Sequence, residues 1–252
     1  FGWDIPDYVH LPHIIKENGE KFSKRLGDPS FEDLIVMGYL PQAIVNYVAL
    51  LGWSPGDDRE FFTLETLIDA FSIDRINKSS AAFSYDKLKW LNGEHIRALP
   101  LETFHTSALP YYPEAVHHLN LEKVSKLIQL RIEQMTAIPE VVHFLSELPR
   151  YDLQLFENPK SKSTLDSSLK VLQEALPRLE DLTEWDNASL FESLKTYANQ
   201  SNLKVGTVMW PIRTALSGLP STPGGATELA ELLGKHESLV RLRSALKMLE
   251  KS

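Results

Sequence analysis

The stretch "GEKFSKRLGD", Gly19 to Asp28, places Lys21, Lys24 and Arg25 around the single hydroxyl of Ser23. Asn18–Gly19 is a turn dipeptide that opens a loop there. Lysine is a mobile point charge and arginine a rigid fork, and both suit the oxygens of a triphosphate. Such a loop stabilises charge that develops during phosphate chemistry and supplies no nucleophile. The bare pattern equally fits a solvated basic turn, and it is not a Walker A loop, because no G-x-x-x-x-G-K-[ST] is present. A second group lies in "WPIRTALSGLPSTPGG". Arg213 stands one helical turn after Trp210, and the loop that follows exposes backbone groups and the Thr222 hydroxyl. Single-stranded RNA bases are read in this way, by stacking and by hydrogen bonds to their edges. The alternative is a helix–loop–helix joint with Trp210 in the core and Arg213 as a surface cation. Arg131, in "LIQLRIEQMTAIPE", reads from its neighbours as a helix-end cation beside Glu133.

The rest of the chain offers little chemistry. Its eight His are scattered, and His117–His118 lack the i, i+4 spacing of a metal pair, so a surface helix is expected there and no metal. Trp53, Trp90 and Trp185 read as core positions. Glu180–Asp181 and Glu184–Asp186 read as a solvated acidic face. No Ser/His/Asp nucleophile arrangement is visible.

The chain has 252 residues, enough for one large domain or two ordinary ones. Hydrophobic content of 43% and charged content of 24% are globular values. The absence of Cys excludes disulfides, thiolate nucleophiles and Cys-ligated zinc, and suits a reducing compartment. No apolar run reaches membrane-spanning length, so a soluble protein with no membrane partner is expected. No basic region followed by an apolar stretch marks a signal peptide. The chain begins without Met in well-patterned sequence, as a piece of a longer protein would. A net charge of −8 argues mildly against nucleic acid, but residues 201–252 carry seven Lys/Arg against four Glu, a local +3. The local sign is what a phosphate backbone meets.

Helices must position these groups. "SFEDLIVMGYLPQAIVNYVALLGW" predicts a helix capped by Ser30, with Glu32–Asp33 in its first turn. A second helix is opened by Pro41, carries Ile44, Val45, Val48 and Leu51 at helical spacing, and is stopped by Gly52. Thr63 caps "TLETLIDAF", and Ser84 caps the helix through Leu88, Trp90 and Leu91. The two prolines of 109–115 close the first half. Helices are then predicted over 121–134, 138–148, 164–177, 184–200, 204–217, 227–235 and 236–250. Breakers fall at Pro149, Pro159, Pro177 and 218–225. There is no fixed-period repeat and no low-complexity tract.

Four ordered blocks carry a resemblance. "HLPHIIKENGEKFSKRLGD", "GYLPQAIVNYVALLGWSP", "NKSSAAFSYDKLKWLNGEHIR" and "MWPIRTALSGLPSTPGG...ELLGKHESLVRLRSAL" closely resemble the class I aminoacyl-tRNA synthetases, specifically glutamyl-tRNA synthetases of the bacterial type. The resemblance covers nearly the whole chain and is weakest across 146–200. It implies an enzyme that activates L-glutamate with ATP, accompanied by Mg2+, and transfers it to tRNA(Glu). It implies that Lys21, Ser23, Lys24 and Arg25 close on the ATP phosphates, with Lys24 as the direct ligand. It implies that Arg213 and Thr222–Pro223–Gly224 meet the first two anticodon bases, with Gly225 standing where some relatives carry a bulkier apolar residue. It further implies that Arg131 reads the third anticodon base. An arginine fork donates to O2 or N3 of C and is repelled by the donor edge of G, which would make the enzyme strict for glutamate tRNA.

The family's H-x-G-H signature is absent, so the chain resembles the C-terminal part of the enzyme and alone is expected to be inactive. The expected fold is mainly α. Residues 1–112 would be the tail of a class I nucleotide-binding (α/β) domain with a helical stem-contact module. Residues 113–252 would be an all-α, two-bundle anticodon-binding domain. A cytoplasmic monomer is expected. Two rivals stand beside this reading: a non-discriminating enzyme that also charges tRNA(Gln), and a non-catalytic helical RNA-binding module. A glutaminyl-tRNA synthetase is disfavoured, because that relative carries β-barrel anticodon domains and strand alternation is nearly absent over 113–252.

Overall fold

Short polar side chains start the early helices by answering their free N–H groups. The computed structural model describes residues 2–4 and 8–251; residue 1 and residues 5–7, part of the resembling N-terminal segment, and residue 252 lie outside them. Ser30 caps α1 (Phe31–Val36) in a reciprocal box with Asp33. Pro41, which has no N–H to leave unpaired, occupies the first turn of α2 (Pro41–Gly52). Thr63 caps α3 (Leu64–Ala70) and Ser84 caps α4 (Tyr85–Ala98). α5 (Leu101–Ala108) follows. Among the described residues the extended chain forms only isolated bridges, such as Ile15 with Lys21 and with Ala82. The molecule is mainly helical.

Backbone proximity divides the chain into two units. The first takes residues up to Phe104 together with Gln129–Ala137; the second takes His105–Ile128 and everything from Ile138 onward. In the first unit α2 turns Ala43, Ile44, Asn46, Tyr47 and Leu51 inward. Ile44, Tyr47 and Leu51 join Leu34, Tyr39, Phe83, Leu88 and Leu91 in one core, where each large side chain contributes about 1.5–3 kcal/mol. Val45 and Val48, expected on the same apolar stripe, are 41% and 47% exposed. The buried face is rotated toward Asn46 and Tyr47 because both are bonded: Asn46 holds Glu60 and Phe62, and Tyr47 accepts from the Ser84 N–H. His95 is buried beside Asn46, its Nε2 3.0 Å from Asn46 Oδ1 and its ring packed on Phe61. Burial lowers its pKa from 6.5 to about 4.

The segment 129–137 is not helix. The helix expected over 121–134 ends at Ile128, as α6 (Leu121–Ile128). Its continuation is taken up by bonds within the first unit. Gln129 donates to the carbonyls of Ile96 and Leu99, and the Asn92 amide donates to Glu133 O. The Met135 N–H meets Gly38 O, and Thr136 Oγ1 donates to Met37 O. A Cβ on Gly38 would lie 2.7 Å from the Thr136 nitrogen, and Gly38 has φ +90°, so only glycine serves there.

The second unit is helical throughout. α6 and α7 (Ile138–Ser146) precede α8 (Leu165–Glu180), α9 (Asn187–Gln200), α10 (Val205–Ser217) and α11 (Ala226–Leu249). The last four pack on one another. α11 bends at Gly234, φ +74°, the point where two separate helices were expected to meet. Pro177 does not break α8, which runs on to Glu180: the proline lacks only its own N–H, while its carbonyl still accepts from the Asp181 N–H and carries the helix through its last turn. His117–His118 follow a 3-10 turn, Glu114–Val116, and lie on no helix. Trp53 is buried as expected, but Trp90 is 40% exposed on α4. No described helix is long and apolar enough to cross a membrane.

Candidate functional site

The basic loop is built on a narrow extended frame. Ile15 pairs with Lys21 and Ala82, and Phe22 stacks on Phe83 at 4.5 Å between ring centres. A 3-10 turn, Lys24–Leu26, ends at Gly27 in the left-handed region, φ 89°. Asp28 closes it. Its carboxylate accepts from the Ser23 N–H at 2.8 Å and pairs with Lys16 at 3.1 Å. These contacts, the Ser23 hydrogen bond first and Lys16 after it, hold the Asp28 carboxyl below its usual pKa. Lys21, Lys24 and Arg25 are all exposed, and among the described residues their side chains make no hydrogen bond or ion pair. Lys24 lies close enough to Glu32 and Asp33 to add to the lowering of their carboxyl pKa values, which backbone hydrogen bonds dominate. A cleft of about 410 Å³ adjoins the loop, lined by Lys16, Phe22, Asp28, Phe83, Tyr85 and Asp86 among others. The loop is thus fixed in its backbone and free in its charges, and three free cations on a fixed backbone suit a polyanion.

The Arg213 group is built in the opposite manner. The guanidinium lies 4.3 Å over the Trp210 ring, as the i, i+3 spacing on α10 allows. Nη1 donates to Thr222 Oγ1 at 3.0 Å and Nη2 to Pro220 O at 3.0 Å. Two of the five guanidinium donors are so used. Thr222 passes its own hydroxyl proton to Gly224 O at 2.7 Å. Gly225 N–H donates to Glu228 Oε2, which fixes the start of α11. Gly224 packs on α6, where an added Cβ would meet Leu127 at 2.9 Å. Burial lowers the Arg213 pKa from its ordinary value. Pro220 and Thr222 thus hold Arg213 directly, and the bond from Thr222 to Gly224 O closes the segment in which Pro223 lies.

Two supports escaped the sequence. Trp210 is held by its own Nε1–H, which donates to Leu155 O at 2.9 Å. Arg241, 2% exposed, donates to the carbonyls of Phe144, Leu145 and Leu216 and pairs with Glu237. It thereby ties the last turns of α7 and α10 to α11. Asp28 and Lys16 carried a weak local signal in their closeness to the basic loop, whereas Arg241 carried none. Arg131 lies in the first unit, exposed, with no hydrogen bond or ion pair among the described residues. No group of three or more described His, Asp or Glu could hold a metal ion.

Residues 103–246 match the family model described as an anticodon binding domain, and residues 1–90 match that of the class I tRNA synthetase (E and Q) catalytic domain. A glutamate–tRNA ligase of Clostridium novyi is 49% identical over all of the chain, which covers 53% of that protein. One from Clostridium tetani is 47% identical over 99% of the chain and 51% of its own length. The chain spans about half the length of the curated relatives it matches. The crystal structure of a glutamate tRNA ligase from Elizabethkingia meningosepticum, in complex with its amino acid, superposes with a TM-score of 0.75 at 27% identity, over 98% of this chain and 53% of that one.

Proposed function

The chain belongs to the glutamyl-type class I tRNA synthetases, and from that premise we propose that it is the tRNA-reading part of a glutamate–tRNA ligase, a cytoplasmic monomer acting on ATP, L-glutamate and tRNA(Glu). The functional division we propose runs 1–112 and 113–252. The first part carries the phosphate loop and a stem-contact module, and the second reads the anticodon. The observation that carries the reading is the tethered Arg213 fork inside the segment that matches an anticodon-binding domain.

A fork held by Trp210, Pro220 and Thr222 is suited to hydrogen-bond acceptors on base edges, because its plane is set before RNA arrives. Lys21, Lys24 and Arg25 suit ATP phosphates for the converse reason: unpaired charges can follow oxygens as they move. Ser23 contributes the N–H that Asp28 uses to close the loop. None of this chain's residues is assigned to Mg2+. Arg131, exposed and unpaired, is the proposed reader of the third anticodon base.

The experiment is a titration of the chain, at low and moderate salt, with a glutamate tRNA transcript and its third-base C→G variant. A preference for C that disappears in Arg131→Ala supports a discriminating anticodon reader. Equal binding of both, lost in Arg213→Ala, supports the non-discriminating enzyme. Binding no tighter than to an unrelated RNA removes the anticodon assignment from this chain.

A further inference from the structure

We propose, resting on the reading above, that Trp210 is a specificity-determining positioning residue: its ring and the Thr222 turn together lock the Arg213 guanidinium into one plane before any base arrives. The chain of contacts is continuous. Leu155 O holds the Trp210 indole N–H, the indole covers one face of Arg213, and Pro220 O and Thr222 Oγ1 hold one edge. The Thr222 hydroxyl accepts from Arg213 and donates to Gly224 O, so its single proton is already placed. Thr222 is therefore a positioning residue as well, and recognition of a pyrimidine's acceptor edge falls to the three guanidinium N–H groups that remain. A free arginine carries roughly 2 kcal/mol of rotamer entropy. Fixing it beforehand removes that cost from binding and makes a misplaced acceptor expensive.

This separates two roles that sequence spacing merges. If Trp210 acted only as core filling, its loss would weaken all RNA binding equally or unfold the second unit. As a positioning residue, its loss lowers the ratio between matched and mismatched RNA. The probes are the glutamate tRNA transcript and transcripts with a purine at each of the first two anticodon positions, titrated against wild type, Trp210→Leu, Trp210→Phe and Arg213→Ala. Trp210→Leu is expected to reduce the matched-to-mismatched affinity ratio about tenfold, the size of a lost cation–π contact. Trp210→Phe keeps a ring face without the indole N–H and is expected to stay within about threefold of wild type. An unchanged ratio in Trp210→Leu, with the ratio abolished in Arg213→Ala, overturns the proposal and leaves the anticodon reading intact. An unchanged ratio in Arg213→Ala overturns the anticodon reading itself. Should Trp210→Leu fail to fold, NMR of the arginine side chains in the unliganded wild-type chain decides the matter. Separate Nη resonances for Arg213, indicating arrested rotation, support the lock, and a single averaged resonance defeats it.

Discussion

The loop around Lys24 and the turn around Thr222 both present cations, and they hold them in opposite ways. In the first, the backbone is clamped by Asp28 and by pairing of Ile15 with Lys21, while Lys21, Lys24 and Arg25 stay exposed and unpaired. In the second, the backbone is a Pro- and Gly-rich turn, and the side chain itself is clamped, by a ring beneath and two acceptors at one edge. The difference follows what each is proposed to meet. Phosphate oxygens move during a reaction and are symmetric, so loose charges serve them. Base edges differ by the placement of single donors and acceptors, so only a fixed fork distinguishes them.

The contrast predicts unequal responses to mutation. The largest concerns Arg241. Arg241→Ala strips partners from buried carbonyls and leaves a void between three helices, with an expected loss of about 3–5 kcal/mol in urea unfolding. A loss below about 1 kcal/mol would mean that the second unit is less rigid than its bonding implies. Next is the acid response of the first unit. The folded His95 stays neutral down to about pH 4, while the unfolded residue takes a proton near 6.5. Stability is therefore complete above pH 6.5 and falls as pH drops toward 4, by up to roughly 3 kcal/mol. Unfolding curves of wild type and His95→Gln should converge or cross below pH 6 if this group is responsible; parallel curves would exclude it.

Arg213→Lys, which keeps the charge and removes the fork, should cost about 1–3 kcal/mol of discrimination between matched and mismatched anticodons. Overall affinity at low salt should change less, which the same titrations report. The smallest effect is expected at Lys24. Lys24→Ala removes no side-chain hydrogen bond, so the unfolding free energy should change by less than about 0.5 kcal/mol. A larger destabilisation would show that Lys24 belongs to the loop's structure and is no free charge.

Much of this was legible from local signals. Ser30, Thr63 and Ser84 are caps in the structure as their sequence neighbours suggest, because capping is decided within four residues. The pairing of Trp210 with Arg213 is written in helical spacing. What could not be read was decided at long range. The residues after Ile128 keep a helical pattern, yet they leave the helix because Gly38, Asn92, Ile96 and Leu99 offer partners from far along the chain. The α2 stripe misled for a related reason: Asn46 is polar, and its bonds to Glu60, Phe62 and His95 make it an inward residue. Arg241 looks like any surface cation until three carbonyls converge on it.

The return of Gln129–Ala137 to the first unit also has a temporal side. A ribosome releases this chain from its N-terminus, and the pieces that emerge first ordinarily fold first. Here the first unit lacks the acceptor of the Asn92 side-chain N–H and the donor to the Gly38 carbonyl until the polypeptide has been synthesised through the Met135 turn. By then all of α6, which belongs to the other unit, has already appeared. The two halves must therefore mature in overlapping order. A truncation placed at the seeming boundary after Phe104 would leave the earlier half open.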